Sequence, residues 1–248
     1  MSPTAPTTAQ PTIQILPGYR PGILGRTLEM HMDFYSSFAG WGPSSEAGIA
    51  SGLVPFLKRL GGDDVAKGPQ KSNNKEGQED AVATTDGGEV VMKLPHGRSQ
   101  VWSAVQVRED QENQKDRIVG VVYVDGDFYR SGERKEEGGE EVCRLRFYIV
   151  DEEARGLGVG GKLFAAAMGF VRDAGFRECR LSTWRQLETA RRLYEREGFV
   201  VAEEEIQEYT REDDGRQQVL QWMNYVWRRD SGDSEKRRAD IGTEAVVH

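Results

Sequence analysis

The run Phe147-Tyr148-Ile149-Val150 ends at Asp151-Glu152-Glu153-Ala154 and opens into Arg155-Gly156-Leu157-Gly158-Val159-Gly160-Gly161-Lys162. Leu163-Phe164-Ala165-Ala166-Ala167-Met168 follows at once. An apolar strand, a glycine turn and a helix N-terminus in that order leave backbone N–H groups without intrahelical acceptors. Such donors, reinforced by the helix dipole, suit an anion, and phosphate above all. A bare β-to-α turn with no ligand would look the same locally, so the neighbouring residues have to decide.

Two phosphate motifs fit in outline and fail in detail. Gly156, Gly158 and Gly161 match G-x-G-x-x-G, which needs an acidic residue at the end of the next strand to hold a ribose. That strand, Glu178–Thr183, runs out into Trp184-Arg185 with no acid. Gly156, Gly161 and Lys162 match most of G-x-x-x-x-G-K-[ST], but Leu163 stands where the magnesium-binding hydroxyl belongs.

A third pattern, [Q/R]-x-x-G-x-[G/A], is met by Arg155, Gly158 and Gly160. Downstream, Ala190-x-x-Leu193-Tyr194-x-x-x-Gly198-Phe199 supplies a second motif at the end of a short amphipathic helix. In order and spacing the two resemble the GCN5-related N-acetyltransferase (GNAT) superfamily. The opening Arg20-Pro21-Gly22-Ile23-Leu24-Gly25, then His31, Tyr35 and Gly40-Trp41, is similar to the acetyltransferase half of bacterial MarR–GNAT fusion proteins. Ile23 stands where that opening has Asp, and no winged-helix segment is read ahead of it. The likeness covers roughly residues 13–60 and 99–228.

The resemblance implies an α/β (α+β) fold with a mixed central sheet of about six to seven strands, splayed in the middle and flanked by helices. It implies acetyl transfer from acetyl-CoA to a primary amine of a small molecule or protein. Backbone groups of Ile149 and Val150 would meet the pantetheine arm and the thioester carbonyl. Arg155, Gly156, Leu157, Gly158, Val159, Gly160, Gly161 and Lys162 would hold the pyrophosphate. Tyr194 is the candidate general acid for the departing sulfur, or else a space-filling helix tyrosine. The superfamily often has Asn three residues before the motif's Ala; Leu187 stands there instead, so a non-catalytic CoA-binding or interaction domain is the alternative.

The acceptor side is less defined. His31 and Tyr35, four apart on one helix, either line the acceptor pocket or belong to the core. Glu140 and Glu141 border the central strand as candidate bases or as part of a charged insert. Arg144 and Arg146 share a strand face, to meet an acidic substrate group or to pair with neighbouring acids.

These residues need elements to position them. Thr12–Leu16 reads as a strand, followed by helices near 22–39 and 44–60. The segments 101–107 and 118–124 read as a hairpin, 142–150 as the central strand, and 163–174 as a helix stopped by Gly175. Strand 177–183, helix 187–197, a strand from Phe199 and a last strand 219–227 complete one domain over 12–229. Low-complexity inserts are expected near 61–97, 108–117 and 130–141, with disordered ends at 1–11 and 230–248.

With 41 acidic against 33 basic residues in 248, the net charge is −8, which argues against a nucleic-acid partner. No run of about 18 apolar residues suggests a membrane span, and the N-terminus lacks the pattern of a signal peptide. Cys143 and Cys179 lie in expected strands and read as buried thiols. His31, His96 and His248 form no metal pattern, so no metal is expected. A cytoplasmic location fits, and the oligomeric state is left open, a homodimer being one option.

Overall fold

In the computed structural model, the described residues are 12–61, 82–84, 90–92, 97–107, 116–128 and 141–229. Seven strands form one mixed sheet in the order β1-β4-β5-β6-β7-β9-β8. They are β1 (Thr12–Pro17), β4 (Gln100–Val107), β5 (Arg117–Asp125), β6 (Val142–Val150), β7 (Glu178–Trp184), β8 (Val200–Thr210) and β9 (Gln217–Arg228). Four helices flank it: α1 (Ile23–Ala39), α2 (Pro43–Gly61), α3 (Val159–Asp173) and α4 (Glu188–Arg196). The order and the mixed pairing are those of the expected fold. β6 and β7 pair in parallel through Val142–Arg144 and Glu178–Arg180, the first three residues of each strand. β9 runs antiparallel to both β7 and β8.

The segment 61–97 is not wholly without structure. β2 (Val82–Thr84) and β3 (Val90–Met92) pair antiparallel as a separate two-stranded sheet. They are runs of three residues, Val-Ala-Thr and Val-Val-Met, too short to stand out from a polar stretch. The expectations for 1–11, 62–81, 108–115, 129–140 and 230–248 lie outside the described residues.

By compactness the chain divides into two units. The first takes the residues up to Tyr123 together with Phe147–Ala167. Its core joins Ile23 and Met30 of α1, Leu53 and Phe56 of α2, Val101 and Val105 of β4, Val121 and Tyr123 of β5, and Ile149 of β6. α1 is bounded by glycines on both sides: Gly22 has φ 85, and Gly40, at φ 64, returns its N–H to Ser36 and Tyr35 carbonyls. Both conformations suit a residue without Cβ. A buried hydrogen bond of 2.8 Å between Thr27 Oγ1 and the Tyr123 hydroxyl ties the helix to β5.

The second unit takes Val124–Arg146 and the residues from Met168 on. Cys143, Met168, Val171, Phe176, Cys179, Leu181, Phe199, Met223 and Tyr225 are buried in it. Cys143 and Cys179 are register partners across the parallel pair, and both are free thiols.

Gly120 marks the closest approach within the first unit. A Cβ there would lie 3.0 Å from Leu163 Cδ1, 3.3 Å from the Ile149 carbonyl oxygen and 3.4 Å from Val150 Cγ2. α3 and β6 can come this near β5 only over a bare Cα. Gly120→Ala is therefore expected to cost about 1–3 kcal/mol by overpacking. A urea titration checks it, and an unchanged midpoint would refute the constraint.

Candidate functional site

β6 ends at Val150, and Asp151 starts the turn that carries the glycines. Its backbone N–H still bonds the Val119 carbonyl of β5 at 2.9 Å. Its carboxylate accepts from the Glu153 N–H at 3.1 Å, capping a 3-10 turn over Glu152–Ala154. This is the local use of an N-terminal Asp that helical turns favour. Two arginines then fix the same carboxylate: Arg26 of α1 bonds Asp151 Oδ2, and Arg117 of β5 reaches it at 3.1 Å. Arg26 also bonds the Ile118 carbonyl at 2.8 Å, and Arg117 bonds Glu153 at 2.8 Å. The Asp151 side chain is only 9% exposed, so the clasp is an anchored joint rather than a surface pair.

Beyond it the backbone turns twice through the left-handed region, at Gly156 (φ 77) and Gly158 (φ 75). Side chains there would be strained. α3 starts at Val159, four residues earlier than the apolar periodicity predicts, so Val159, Gly160, Gly161 and Lys162 form its first turn. Lys162 N–H already bonds the Gly158 carbonyl at 3.2 Å. The amides of Val159, Gly160 and Gly161 precede that bond and have no intrahelical acceptor. A Cβ on Gly156, Gly158 or Gly161 would meet nothing within 4 Å. The surface the glycines present is therefore open, and it is lined by backbone at the positive end of a 15-residue helix.

The remaining cradle residues have different surroundings. Arg155 folds back: its N–H bonds the Glu152 carbonyl at 3.1 Å, its Nε bonds the Val150 carbonyl at 3.1 Å, and its guanidinium lies 4.8 Å over the Phe34 ring. It braces the loop from behind. Leu157 is 38% exposed at the tip, and Ile149 is buried.

Two neighbours carry signals the sequence does not announce. Phe147 on β6 has φ 47, a conformation uncommon for a bulky residue. The Tyr148 hydroxyl lies 2.6 Å from where a Gly160 Cβ would be, so a side chain at Gly160 would displace the end of that ring. Burial raises the Tyr148 pKa well above the usual phenol range.

His31 and Tyr35 stack at 6.0 Å between ring centroids, with Trp41 on Tyr35 at 4.2 Å and the Phe147 ring edge-on to His31 at 6.2 Å. His31 is 6% exposed and its Nδ1 lies 2.8 Å from the Thr27 carbonyl, where it donates. Burial lowers its pKa from 6.5 to about 4, outweighing that hydrogen bond. Burial pushes Tyr35 up to about 12. His31 is thus a neutral core imidazole at physiological pH.

Tyr194, in the second unit, is 5% exposed near the end of α4, with the Phe199 and Tyr225 rings at 6.2 and 6.1 Å. Beside it the Tyr225 hydroxyl donates to Glu195 at 2.8 Å and accepts from Arg191 Nε at 3.0 Å. Leu187 occupies the N-cap of α4 and makes no side-chain cap bond. Of the candidate bases, Glu141 is exposed and pairs with Arg177 at 3.2 Å, while Glu140 lies outside the described residues. Arg146 pairs with buried Asp125 at 3.1 Å, and Arg144 bonds Ser182 at 2.8 Å. Among the described residues no group of three metal-ligating side chains gathers, and no helix is long and apolar enough to cross a membrane.

Two measurements test this account of the site. Asp151→Asn removes the carboxylate that Arg26 and Arg117 share, leaving Arg26 only the exposed Glu29 at 2.9 Å, and is expected to cost about 1–3 kcal/mol. It should also speed tryptic cleavage after Arg155; unchanged stability and cleavage would show that the clasp is idle. His31 binds a proton in the unfolded chain below pH 6.5 but in the folded chain only near pH 4. Its stabilising contribution is complete above pH 6.5 and is lost as pH falls toward 4. That loss is about 2–3 kcal/mol between about pH 7 and about pH 4.5. Urea midpoints of wild type and His31→Asn at both pH values check it, and parallel declines would contradict it.

By sequence, residues 98–201 match the family model of the acetyltransferase (GNAT) domain. No curated protein matches the chain by sequence. Among solved structures it is similar to an N-acetyltransferase from Staphylococcus aureus, with TM-score 0.53 and 11% identity over 88% of this chain and 98% of that one. It is also similar to the ribosomal-protein-alanine N-acetyltransferase of Brucella melitensis (TM-score 0.52, 15% identity, 87% and 99% covered). Arabidopsis thaliana NAA60 in complex with a bisubstrate analogue gives TM-score 0.51 and 14% identity, with 88% and 100% covered. At such identities the structural likeness establishes the fold. Together with the sequence match over 98–201, it gives this chain the fold of the GNAT acetyltransferases.

Proposed function

We propose that this protein is an acetyl-CoA-dependent N-acetyltransferase acting on a primary amine of a small molecule or peptide. The observation that carries the reading is the open row of backbone amides at Val159–Gly161, reached through Gly156 and Gly158 and anchored by the Asp151 clasp. Backbone donors without intrahelical acceptors at a helix N-terminus suit a pyrophosphate, and acetyl-CoA supplies the activated acetyl thioester. The amides from Leu157 to Gly161 bind and neutralise the phosphates. Arg155 and the Lys162 amide hold the loop in shape, so the cofactor contacts expected of them reduce to the exposed Lys162 side chain.

In the transfer step the acceptor nitrogen attacks the thioester carbon and the carbon–sulfur bond breaks. Backbone groups of Ile149 and Val150 would orient the pantetheine arm and polarise the carbonyl, an effect that is largest when donors are fixed in advance. Tyr194 would deliver its proton to the departing sulfur and regain one as the acylated nitrogen sheds its own, and its burial among Phe199 and Tyr225 would keep that exchange from bulk water. The substrate-binding role expected of His31 is assigned instead to Tyr35 and Trp41, which are less deeply buried on the same aromatic cluster. We read the Arg20–Arg26 opening as kinship with the acetyltransferase half of MarR–GNAT proteins, with a cytoplasmic location. The uncapped Leu187 at α4 favours a second reading, a CoA-binding domain without turnover.

Thermal shift followed by thiol release separates the two. Acetyl-CoA at 100 times its Kd should stabilise by about 2.7 kcal/mol, a rise of roughly 5–10 °C for a chain this size. Tyr194→Phe should lower kcat about 10- to 100-fold, the low end of general-acid effects, because a thiol of pKa about 8.5 already leaves tolerably well. A shift without thiol release on any amine would favour the second reading; no shift would refute both.

A further inference from the structure

The hydroxyl of Tyr148 stands at the end of α3 where the phosphate seat lies, and the reaction described above gives it no task. Strand alternation sends Tyr148 and Val150 of β6 to the same side, and both meet α3 there. A Cβ built on Gly160 would lie 2.6 Å from the Tyr148 hydroxyl oxygen and 3.8 Å from Val150 Cγ2. The Cα–Cβ bond of a helical residue tilts toward the helix N-terminus. An oxygen just beyond that bond therefore lies on the N-terminal side of Gly160, beside the first-turn amides of Val159, Gly160 and Gly161. Tyr148, Gly160 and those amides all belong to the first unit.

Packing fixes the ring in this place. It tilts against Phe164 of α3 at 6.0 Å between centroids, and Phe164 is buried. The preceding residue, Phe147, holds φ 47, and its own ring is met edge-on by Tyr123 at 5.6 Å and His31 at 6.2 Å. Such backbone persists only where the surroundings over-determine it, and it clusters at ligand sites. Glycine at 160 completes the arrangement, since a Cβ there would push the hydroxyl away. The phenol is also the species that suits an anion. Burial raises its pKa, so it stays an uncharged O–H donor at physiological pH, where a phenolate would repel phosphate.

We propose that the Tyr148 hydroxyl donates a hydrogen bond to the diphosphate of acetyl-CoA, as the side-chain member of a seat otherwise built from backbone amides. This rests on the acetyl-CoA reading and deepens it. Backbone amides are donors that any residue but proline supplies, whereas Tyr148 adds one that depends on residue type. A hydroxyl donating to a charged oxygen makes a stronger bond than a neutral pair does. Phenylalanine in its place would fill the same space against Phe164 and leave one phosphate oxygen to water.

Titration calorimetry of the intact protein with acetyl-CoA, paired with phosphorus NMR of the bound ligand, tests it. Tyr148→Phe should weaken acetyl-CoA about 10-fold, and the diphosphate signals should move while that of the ribose phosphate stays. Gly160→Ala should weaken binding by a similar factor, because it displaces the hydroxyl. In the Tyr148→Phe background the nearest atoms to a Cβ at 160 are the ring Cζ at 3.7 Å and Val150 Cγ2 at 3.8 Å, both ordinary contacts. The same alanine should there cost less than about twofold more, the non-additivity of two groups in contact. Unchanged affinity in Tyr148→Phe, a loss that leaves the diphosphate signals in place, or losses that add fully in the double variant would overturn the inference. Failure of the wild type to bind acetyl-CoA at all is a distinct result, which removes the cofactor reading and the inference with it.

Discussion

The joint at Asp151 is the constraint on which the candidate site depends. One carboxylate caps the turn after β6, is gripped by Arg26 from α1 and by Arg117 from β5, and is 9% exposed. A glycine loop left to itself samples many conformations, and holding it in one costs entropy. The clasp, together with Arg155 folded onto the Val150 carbonyl and Phe34, meets that cost during folding rather than at binding. The first-turn amides of α3, which have no intrahelical acceptors, are then held in one arrangement, the condition under which backbone dipoles bind an anion well. Gly120 and Gly160 belong to the same device, because they let α3 settle close against β5 and Tyr148.

Much of this was legible in the sequence, and the part that was not has a common cause. The glycines, the strand before them and the second motif at Ala190–Phe199 are local patterns, and the helices at 23–39 and 43–61 follow their periodicity to within a residue. The clasp joins residues 125 and 34 positions apart. Arg117 lies in what reads as the edge of a charged insert, with nothing to mark its partner. α3 begins early because Val159 and the two following glycines are poor local evidence for a helix, and tertiary packing overrides propensity there. Phe147 could not be foreseen at φ 47, since no residue type announces it. The hydrogen-bonded line Arg144–Ser182–Asn224–Glu203 needs the strand order, which skips from β7 to β9.

The electrostatics also look different in place than in composition. A net charge of −8 suggests a uniformly acidic protein, yet the arginines of both units occupy specific posts. Arg26 and Arg117 hold Asp151, Arg146 holds Asp125, and Arg191 holds Tyr225 and Glu195. Many of the acids lie on β8, the edge strand, where Glu203, Glu204, Glu205 and Glu208 are exposed. Charge there discourages edge-to-edge pairing with another sheet. His31, the residue a sequence reader would first choose for acid–base work, is kept neutral by burial among Tyr35, Phe147 and Thr27.

The central claim is that the amides of Leu157–Gly161 are a pyrophosphate seat. Titration calorimetry of the intact protein with acetyl-CoA and with S-acetylpantetheine, which has the same thioester arm without the phosphates, tests it most directly. The account predicts at least a 100-fold loss of affinity for the truncated ligand, about 2.7 kcal/mol. Equal affinities would contradict it, because the glycine cradle would then contribute nothing to binding.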